Sequence, residues 1–351
     1  MDPIQLVTPS GQLHRHPDVE GEVDPQLCRD LFRTMFLARR FDNEAFSLQR
    51  NGELALWLQC HGQEAAQVGS IAALEPTDYV FPSYREHAAA MARGITPSEL
   101  LVQWRGNAHS GWDPATYRFH IYTLVLAAQL LHATGYAMGV KLDGVNEVVL
   151  AYFGDGASSE GDANEAFNFA ATMDAPILFF CQNNQWAIST PSSAQARTSL
   201  WERGRGFGLR TALVDGNDVL AVHAVTTQLA SHVRSGSGPA LIEAITYRIG
   251  GHSTSDDPSR YRSASELDEW IAKDPLDRID KLLRAQGWAD QAFFDDLVHE
   301  ADDLAAETRR VCLALTAPNL VDIYDHVLVE KTAQLQQEQE HFAAYIGSFT
   351  G

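Results

Sequence analysis

The chain has 351 residues, with 26 Lys and Arg against 46 Asp and Glu, and a formal net charge of −20. That acid excess argues against nucleic acid as a partner, since a phosphate backbone is drawn to basic surfaces. The apolar share of 45% and charged share of 21% fit a folded globular chain long enough for one large domain or two. Cys28, Cys60, Cys181 and Cys312 are far apart and form no Cys-x-x-Cys pair. Neither a zinc site nor a disulfide framework is expected, and a reduced, cytoplasmic setting fits. MDPIQLVTPS carries no basic region followed by an apolar one, so no secretory leader is expected. The longest apolar stretch, 122–140, includes Gln129 and His132 and reads as a core helix, so no membrane span is expected.

Residues 1–23 are polar, with Pro3, Pro9 and Pro17, and read as an extended arm. Asp24-Pro25 is a cap followed by a first-turn proline, opening a long helix that Asn51-Gly52 stops. His61 and Glu64 precede a small-residue helix over 65–74 and suit either catalysis or packing at a helix start. Residues 78–82 form a short strand and turn, and Ser83-Tyr84-Arg85-Glu86-His87 begins the next helix. Arginine is unfavourable at a helix start unless it meets a phosphate there or an acid such as Glu86. A short helix over 97–104, an irregular loop over 107–119 and a helix over 126–140 follow.

The stretch 148–190 organises the rest. Residues 148–153 are an apolar run suited to a buried parallel strand, and Gly154-Asp155-Gly156 turns out of it. Ser158 or Ser159 can cap a helix whose apolar face is Ala163, Ala166, Phe167, Ala170 and Ala171. A second apolar run, 177–181, ends in Gln182-Asn183-Asn184. In such a βαβ unit the two strands are parallel and end on one sheet edge. Asp155 and Asn184 then meet in the crevice where open α/β sheets bind ligands. Their hard oxygens suit Mg²⁺ or Ca²⁺, and Mg²⁺ completes its octahedron with water and phosphate oxygens. The residues point to a metal-bridged diphosphate site, although GDG and NN turns are also ordinary loop chemistry.

A strand over 211–214, a helix over 219–234 and a core strand over 240–247 continue the alternation, which predicts a doubly wound, mostly parallel sheet flanked by helices. The polar loop 248–262, RIGGHSTSDDPSRYR, follows that strand and borders the same crevice. His252 in it suits phosphate, substrate or plain exposure. Helical segments fill the remainder, the last over 322–342.

Tyr84-Arg85, the GDG…NN pair and the HSTSDDPSRYR loop together resemble the alpha subunit of the thiamine diphosphate-dependent 2-oxo acid dehydrogenases. The likeness runs from about Asp24 to the C-terminal helices. GDGASSEGDANEAFNFAA and QNNQWAIST are similar to the branched-chain type first and the pyruvate type second. The resemblance implies a thiamine diphosphate-binding α/β domain over 24–265 and a helical C-terminal region over 266–351, packed on that domain or on a partner. It implies that Tyr84 and Arg85 touch the diphosphate and that Asp155, Asn184 and the Trp186 carbonyl hold Mg²⁺. Gly156 and Ala157 would lie beside the diphosphate and Leu126 near the aminopyrimidine. His252 would contact diphosphate and serve the reaction, and Ser253 matches a serine phosphorylated in mitochondrial relatives.

The implied activity is oxidative decarboxylation of a branched-chain 2-oxo acid with acyl transfer to a lipoyl group on an acyltransferase core. Pyruvate and acetoin dehydrogenase alpha subunits are the alternatives. A beta subunit in an α₂β₂ assembly is implied, because the chain looks too short to hold both ends of the cofactor. This sequence departs from the branched-chain pattern at Gln182, where an arginine meets the diphosphate, and at Gly251, which replaces a histidine. Leu124 and Ala128 replace hydroxyl residues near a potassium site, leaving Gln129, and Trp186 replaces a tyrosine.

Overall fold

The computed structural model describes residues 2–19 and 23–349. Parts of the predicted arm (1, 20–22) and of the C-terminal region (350–351) lie outside the described residues. The strands in chain order are β1 (Tyr79–Phe81), β2 (Val149–Gly154), β3 (Ile177–Asn183), β4 (Trp186–Ala187), β5 (Thr190–Pro191), β6 (Arg210–Asp215) and β7 (Ala240–Ile245). Five of them form one parallel sheet in the order β1-β2-β3-β7-β6, and β4 and β5 pair as a small antiparallel arm.

Alternation along each strand feeds two cores. Leu150, Tyr152, Leu178 and Phe180 face one side, with the helices Pro25–Arg50, Glu64–Ala72 and Val219–Arg234. Val149, Ala151, Phe153, Ile177, Phe179 and Cys181 face the other, with Ala128–Asp143 and Gly161–Thr172. A sheet buried on both faces reads as a continuous apolar run, which is why these strands were visible in the sequence.

The βαβ unit forms as its sequence indicates. β2 and β3 pair in register from Val149↔Ile177 to Gly154↔Gln182, with Gly161–Thr172 crossing between them. Asp155 and Asn184 therefore each lie just past a strand end on one edge of the sheet.

Several expected boundaries move. No serine caps the crossover helix: a 3₁₀ turn, Gly156–Ser159, intervenes, and Ser158 Oγ donates 2.7 Å to the Asp155 carbonyl instead. The helix expected from Ser83 starts at His87, because Glu86 turns back to accept from the Ser83 N–H at 2.7 Å. The helix expected from Leu126 starts at Ala128, after Ala127 at φ 65°. The last helix is broken in two, a 3₁₀ segment Leu320–His326 and a helix Ala333–Gly347, joined by the Tyr324–Phe342 ring contact at 5.8 Å. The arm is less polar in place than in sequence. Ile4, Leu6 and Val7 are buried, and Ile4 bridges Val214 in parallel at the outer edge of β6.

Candidate active site

The C-terminal ends of β2 and β3 open into a cavity of about 460 Å³. All nine candidate residues line it: Tyr84, Arg85, Leu126, Asp155, Gly156, Ala157, Asn184, Trp186 and His252. His61 and Glu64 do not. Glu64 is buried, pairs with Arg39 and accepts from the Gly62 N–H at 2.8 Å, so it fixes a turn. His61 Nε2 lies 4.0 Å from Asp274.

One wall is cationic. Arg85 is only 5% exposed, and Arg248 only 1%. Arg85 Nη1 donates 2.6 Å to the Gln59 carbonyl and Nη2 donates 2.8 Å to the His252 carbonyl. Its guanidinium carbon stands 5.7 Å over the Tyr84 ring. Arg248 Nη1 donates to the Trp186 carbonyl at 3.2 Å, while its Nη2 donates to the Ile188 carbonyl at 2.7 Å and Tyr261 Oη at 2.8 Å. Neither guanidinium makes an ion pair among the described residues. Arg85 thus meets no acid through its side chain, and the carboxylate of its neighbour Glu86 is engaged by Ser83 and Gln182.

His252 completes this wall. Its Nδ1 lies 3.5 Å from Arg85 Nη2 and 3.4 Å from Arg248 Nη1. Both guanidiniums can only donate, so Nδ1 is the acceptor and the ring proton is assigned to Nε2. Burial, then the Arg85 and Arg248 charges, pull the imidazole down to about 4, so it is neutral at pH 7. Its backbone is held by its own loop: the His252 main-chain N–H donates 2.6 Å to Asp256 Oδ2.

The same cavity is lined by oxygens, including the Trp186 carbonyl that Arg248 meets. Asp155 is 7% exposed, and its Oδ2 accepts from Ser192 Oγ at 2.7 Å and Gln195 Nε2 at 3.0 Å. Burial pushes its carboxyl upward, against those hydrogen bonds. Asn184 Oδ1 accepts from the Trp186 N–H at 3.3 Å, which folds 184–186 into one turn. That turn is tight, with Gln185 at φ 74°, and Ile188 just beyond it is also left-handed, at φ 56°. Backbone in this left-handed region costs a non-glycine residue energy and clusters at functional sites. Gly156 has to be glycine, since a Cβ there would come within 2.7 Å of Ala187 Cβ.

Gln182 is not free to meet a ligand. Its Nε2 donates 2.6 Å to Glu86 Oε1 and its Oε1 accepts from Gln67 Nε2 at 3.0 Å. Glu86 also lines the cavity, and burial raises its carboxyl too. Sequence reasoning passed over Arg248, Gln63 and Glu86 as site residues. The signal for Arg248 was present: a charged residue directly after an apolar strand, on the edge where the site opens.

Buried cations without an ion pair and a buried carboxylate without a cation thus line one cavity. A lone anion would satisfy only the cations and a lone metal only the carboxylate. An anion carrying its own cation satisfies both. Gln63 Nε2 is buried here with no partner among the described residues, a further donor consistent with a polar ligand. The residues present fit a diphosphate with a divalent ion.

A family model described as "Dehydrogenase E1 component" matches residues 32–310. The 3-methyl-2-oxobutanoate dehydrogenase subunit alpha of Mycobacterium tuberculosis is 41% identical over 345 residues, covering 98% of this chain and 94% of that protein. The mitochondrial 2-oxoisovalerate dehydrogenase subunits alpha of Mus musculus and Homo sapiens are each 36% identical, covering 99% of this chain and 84% of theirs. With four fifths of the chain under one family model and relatives aligned over nearly all of it, this chain belongs to the dehydrogenase E1 component family.

Proposed function

We propose that the chain is the alpha subunit of a branched-chain 2-oxo acid dehydrogenase, dependent on thiamine diphosphate and Mg²⁺ and active with a beta subunit in an α₂β₂ assembly. The observation that carries this reading is one cavity lined both by buried cations without an ion pair and by a buried carboxylate without a cation, at the strand ends of the matched family region. Arg85, Arg248 and Tyr84 would hold the diphosphate. Asp155, Asn184 and the Trp186 carbonyl would hold the metal, with Gly156 and Ala157 alongside. When bound, thiamine diphosphate supplies the electron sink that decarboxylation of a 2-oxo acid needs. Neutral His252 offers an Nε2–H donor beside that position, so it can hold a proton against an oxygen without adding charge.

Substrate choice is read from the mouth. Leu56, Leu58, Leu124, Leu126 and Ile188 line it, an apolar surface that suits a branched aliphatic side chain better than the methyl of pyruvate or the hydroxyl of acetoin. The names of the relatives favour the same substrate class. The acyl fragment would pass to a lipoyl group on an acyltransferase core. We read residues 24–265 as the cofactor domain and 266–351 as a helical region. Four buried free cysteines fit a reducing cytoplasm, and no helix among the described residues is long and apolar enough to cross a membrane.

The test reconstitutes the chain with a beta subunit and measures decarboxylation of 3-methyl-2-oxobutanoate and pyruvate and carbon–carbon cleavage of acetoin, with calorimetry of thiamine diphosphate and Mg²⁺ beside it. The branched substrate should have the highest kcat/KM. Absence of cofactor binding by the pair would reject the reading outright.

A further inference from the structure

We infer that Gln63, Ser192 and Gln195 are positioning residues that preset the two side chains facing the metal position, each by occupying the atom the metal does not need. The inference rests on the metal reading above. Asp155 Oδ2 is taken by two donors, Ser192 Oγ at 2.7 Å and Gln195 Nε2 at 3.0 Å. No side chain among the described residues donates to its Oδ1, the end that would face a cation, although the Asp155 and Asn184 N–H groups also stabilise the carboxylate. Asn184 Nδ2 donates to Gln63 Oε1 at 3.1 Å, so Asn184 Oδ1 is the end left for the same cation.

The second of these matters more than its length suggests. A primary amide is nearly symmetric in shape, and turning it over would present an NH₂ group to a positive ion. An acceptor placed at Nδ2 separates the two orientations, and Gln63 Oε1 is that acceptor. The Trp186 N–H on Asn184 Oδ1 selects the same orientation from the other side. Groups behind metal ligands fix their orientation in this way and tune affinity without touching the ion.

Gln63 is itself held in place. It is fully buried and lines the cavity. The residue before it, Gly62, sits at φ 92°, and a Cβ there would lie 2.4 Å from the Tyr247 carbonyl oxygen. The Gly62 N–H is bound by Glu64, which Arg39 pairs. An ion pair remote from the cavity therefore sets the amide that sets Asn184. Ser192 and Gln195 come from the short helix Ser192–Gln195 that follows the β4–β5 arm, so the same arm that carries the Trp186 carbonyl delivers both donors to Asp155. Ser192 and Gln195 are neutral, so they orient Asp155 without cancelling the charge a cation needs.

The experiment titrates Mg²⁺ into the full chain with its beta subunit at saturating thiamine diphosphate, following heat and tryptophan fluorescence. Gln63→Leu and Ser192→Ala should each raise the Mg²⁺ dissociation constant by about 10-fold or more. The lost activity should return at high Mg²⁺, and Ser192→Thr, which keeps the hydroxyl, should bind nearly as the parent does. Ser192 is only partly buried, so its variant carries the test if Gln63→Leu fails to fold. Asp155→Ala separates the two levels of argument. If it abolishes Mg²⁺ uptake while Gln63→Leu and Ser192→Ala bind normally, the positioning role is wrong and the metal reading stands. If activity falls without any change in Mg²⁺ affinity, or Ser192→Thr fails to rescue, the positioning role is also wrong. If the parent pair takes up no Mg²⁺, both are.

Discussion

Single residues in this protein matter through what they lack as much as through what they touch. Arg85 and Arg248 are buried without an acid, a costly state unless an anion arrives. Each should therefore lose cofactor affinity on truncation more than it loses stability. We expect Arg85→Ala and Arg248→Ala to weaken thiamine diphosphate binding by about 1.5–3 kcal/mol, the range for a charged hydrogen bond, measured by calorimetry at fixed Mg²⁺. Arg248→Lys should rescue poorly, since one ammonium cannot span the Trp186 and Ile188 carbonyls and Tyr261 together. A second residue behaves the opposite way. Asp42 is fully buried, accepts from Trp57 Nε1 at 2.8 Å, and has an Oδ2 without a partner. Burial pushes its carboxyl from 3.8 up to about 7. Between those values the folded chain holds a proton that the unfolded chain has lost, so this group's stabilising contribution fades as pH rises through the window. Asp42→Asn keeps the acceptor for Trp57 and cannot ionise. Its melting temperature, relative to the parent, should rise between pH 5 and pH 8, and a flat difference would show that Asp42 does not titrate there.

At the scale of elements, the βαβ unit is held by aromatic packing under its crossover helix. Phe167 is fully buried against Phe179 at 4.9 Å, Phe207 at 5.8 Å and Phe153 at 5.9 Å, while Phe169, two residues on, is 48% exposed. Phe167→Ala should cost about 3–5 kcal/mol in denaturant unfolding, and Phe169→Ala within about 0.5 kcal/mol. Equal losses would mean the helix packs by another face. The N-terminal arm gives an independent case. Asp218 Oδ2 accepts from the Leu6 and Val7 N–H groups, both at 2.6 Å, while its Oδ1 caps the helix Val219–Arg234. Removing residues 2–8 leaves that buried carboxylate short of two donors, so melting should fall while secondary structure by circular dichroism holds. These elements also show what could be read from the chain in advance. Buried parallel strands announce themselves as apolar runs, and a turn at a strand end has only one edge to occupy, so Asp155 and Asn184 were legible. The family suggested by GDG…NN and HSTSDDPSRYR is the one the comparisons give. Gln63 was not legible, because a neutral amide carries no signal until its neighbour across the fold is known. Arg248 was passed over because its partners, Trp186 and Ile188, are about sixty residues upstream. The broken last helix was missed because Val327, Leu328 and Val329 stand exposed, with no burial to reward helix, and period alone does not reveal that.

Over the whole molecule, the apolar surface is uneven, and the unevenness bears on assembly. Val125 is 71% exposed, and Leu124, Leu126 and Ile188 lie open beside it at the cavity mouth. A second group, Ile323, Val327, Val329, Tyr345 and Phe349, stands exposed at the C-terminal end. Scattered apolar residues on a surface are ordinary, but a cluster rimming a ligand cavity is not. With a net charge of −20, self-repulsion opposes covering these groups with a second copy of the same chain at low salt. A different subunit meets the need better, and it would also close the mouth, exclude water and supply the far end of the cofactor. The chain alone should then turn over 2-oxo acid slowly or not at all. Adding the beta subunit should restore activity and, in the same titration and at the same stoichiometry, reduce the binding of an apolar fluorescent dye to the alpha chain. Leu124→Asp, at the mouth and outside every hydrogen bond described above, should weaken that association while leaving the melting temperature of the isolated chain near the parent's. Full activity from the isolated chain, or association that ignores Leu124→Asp, would place the partner's surface elsewhere.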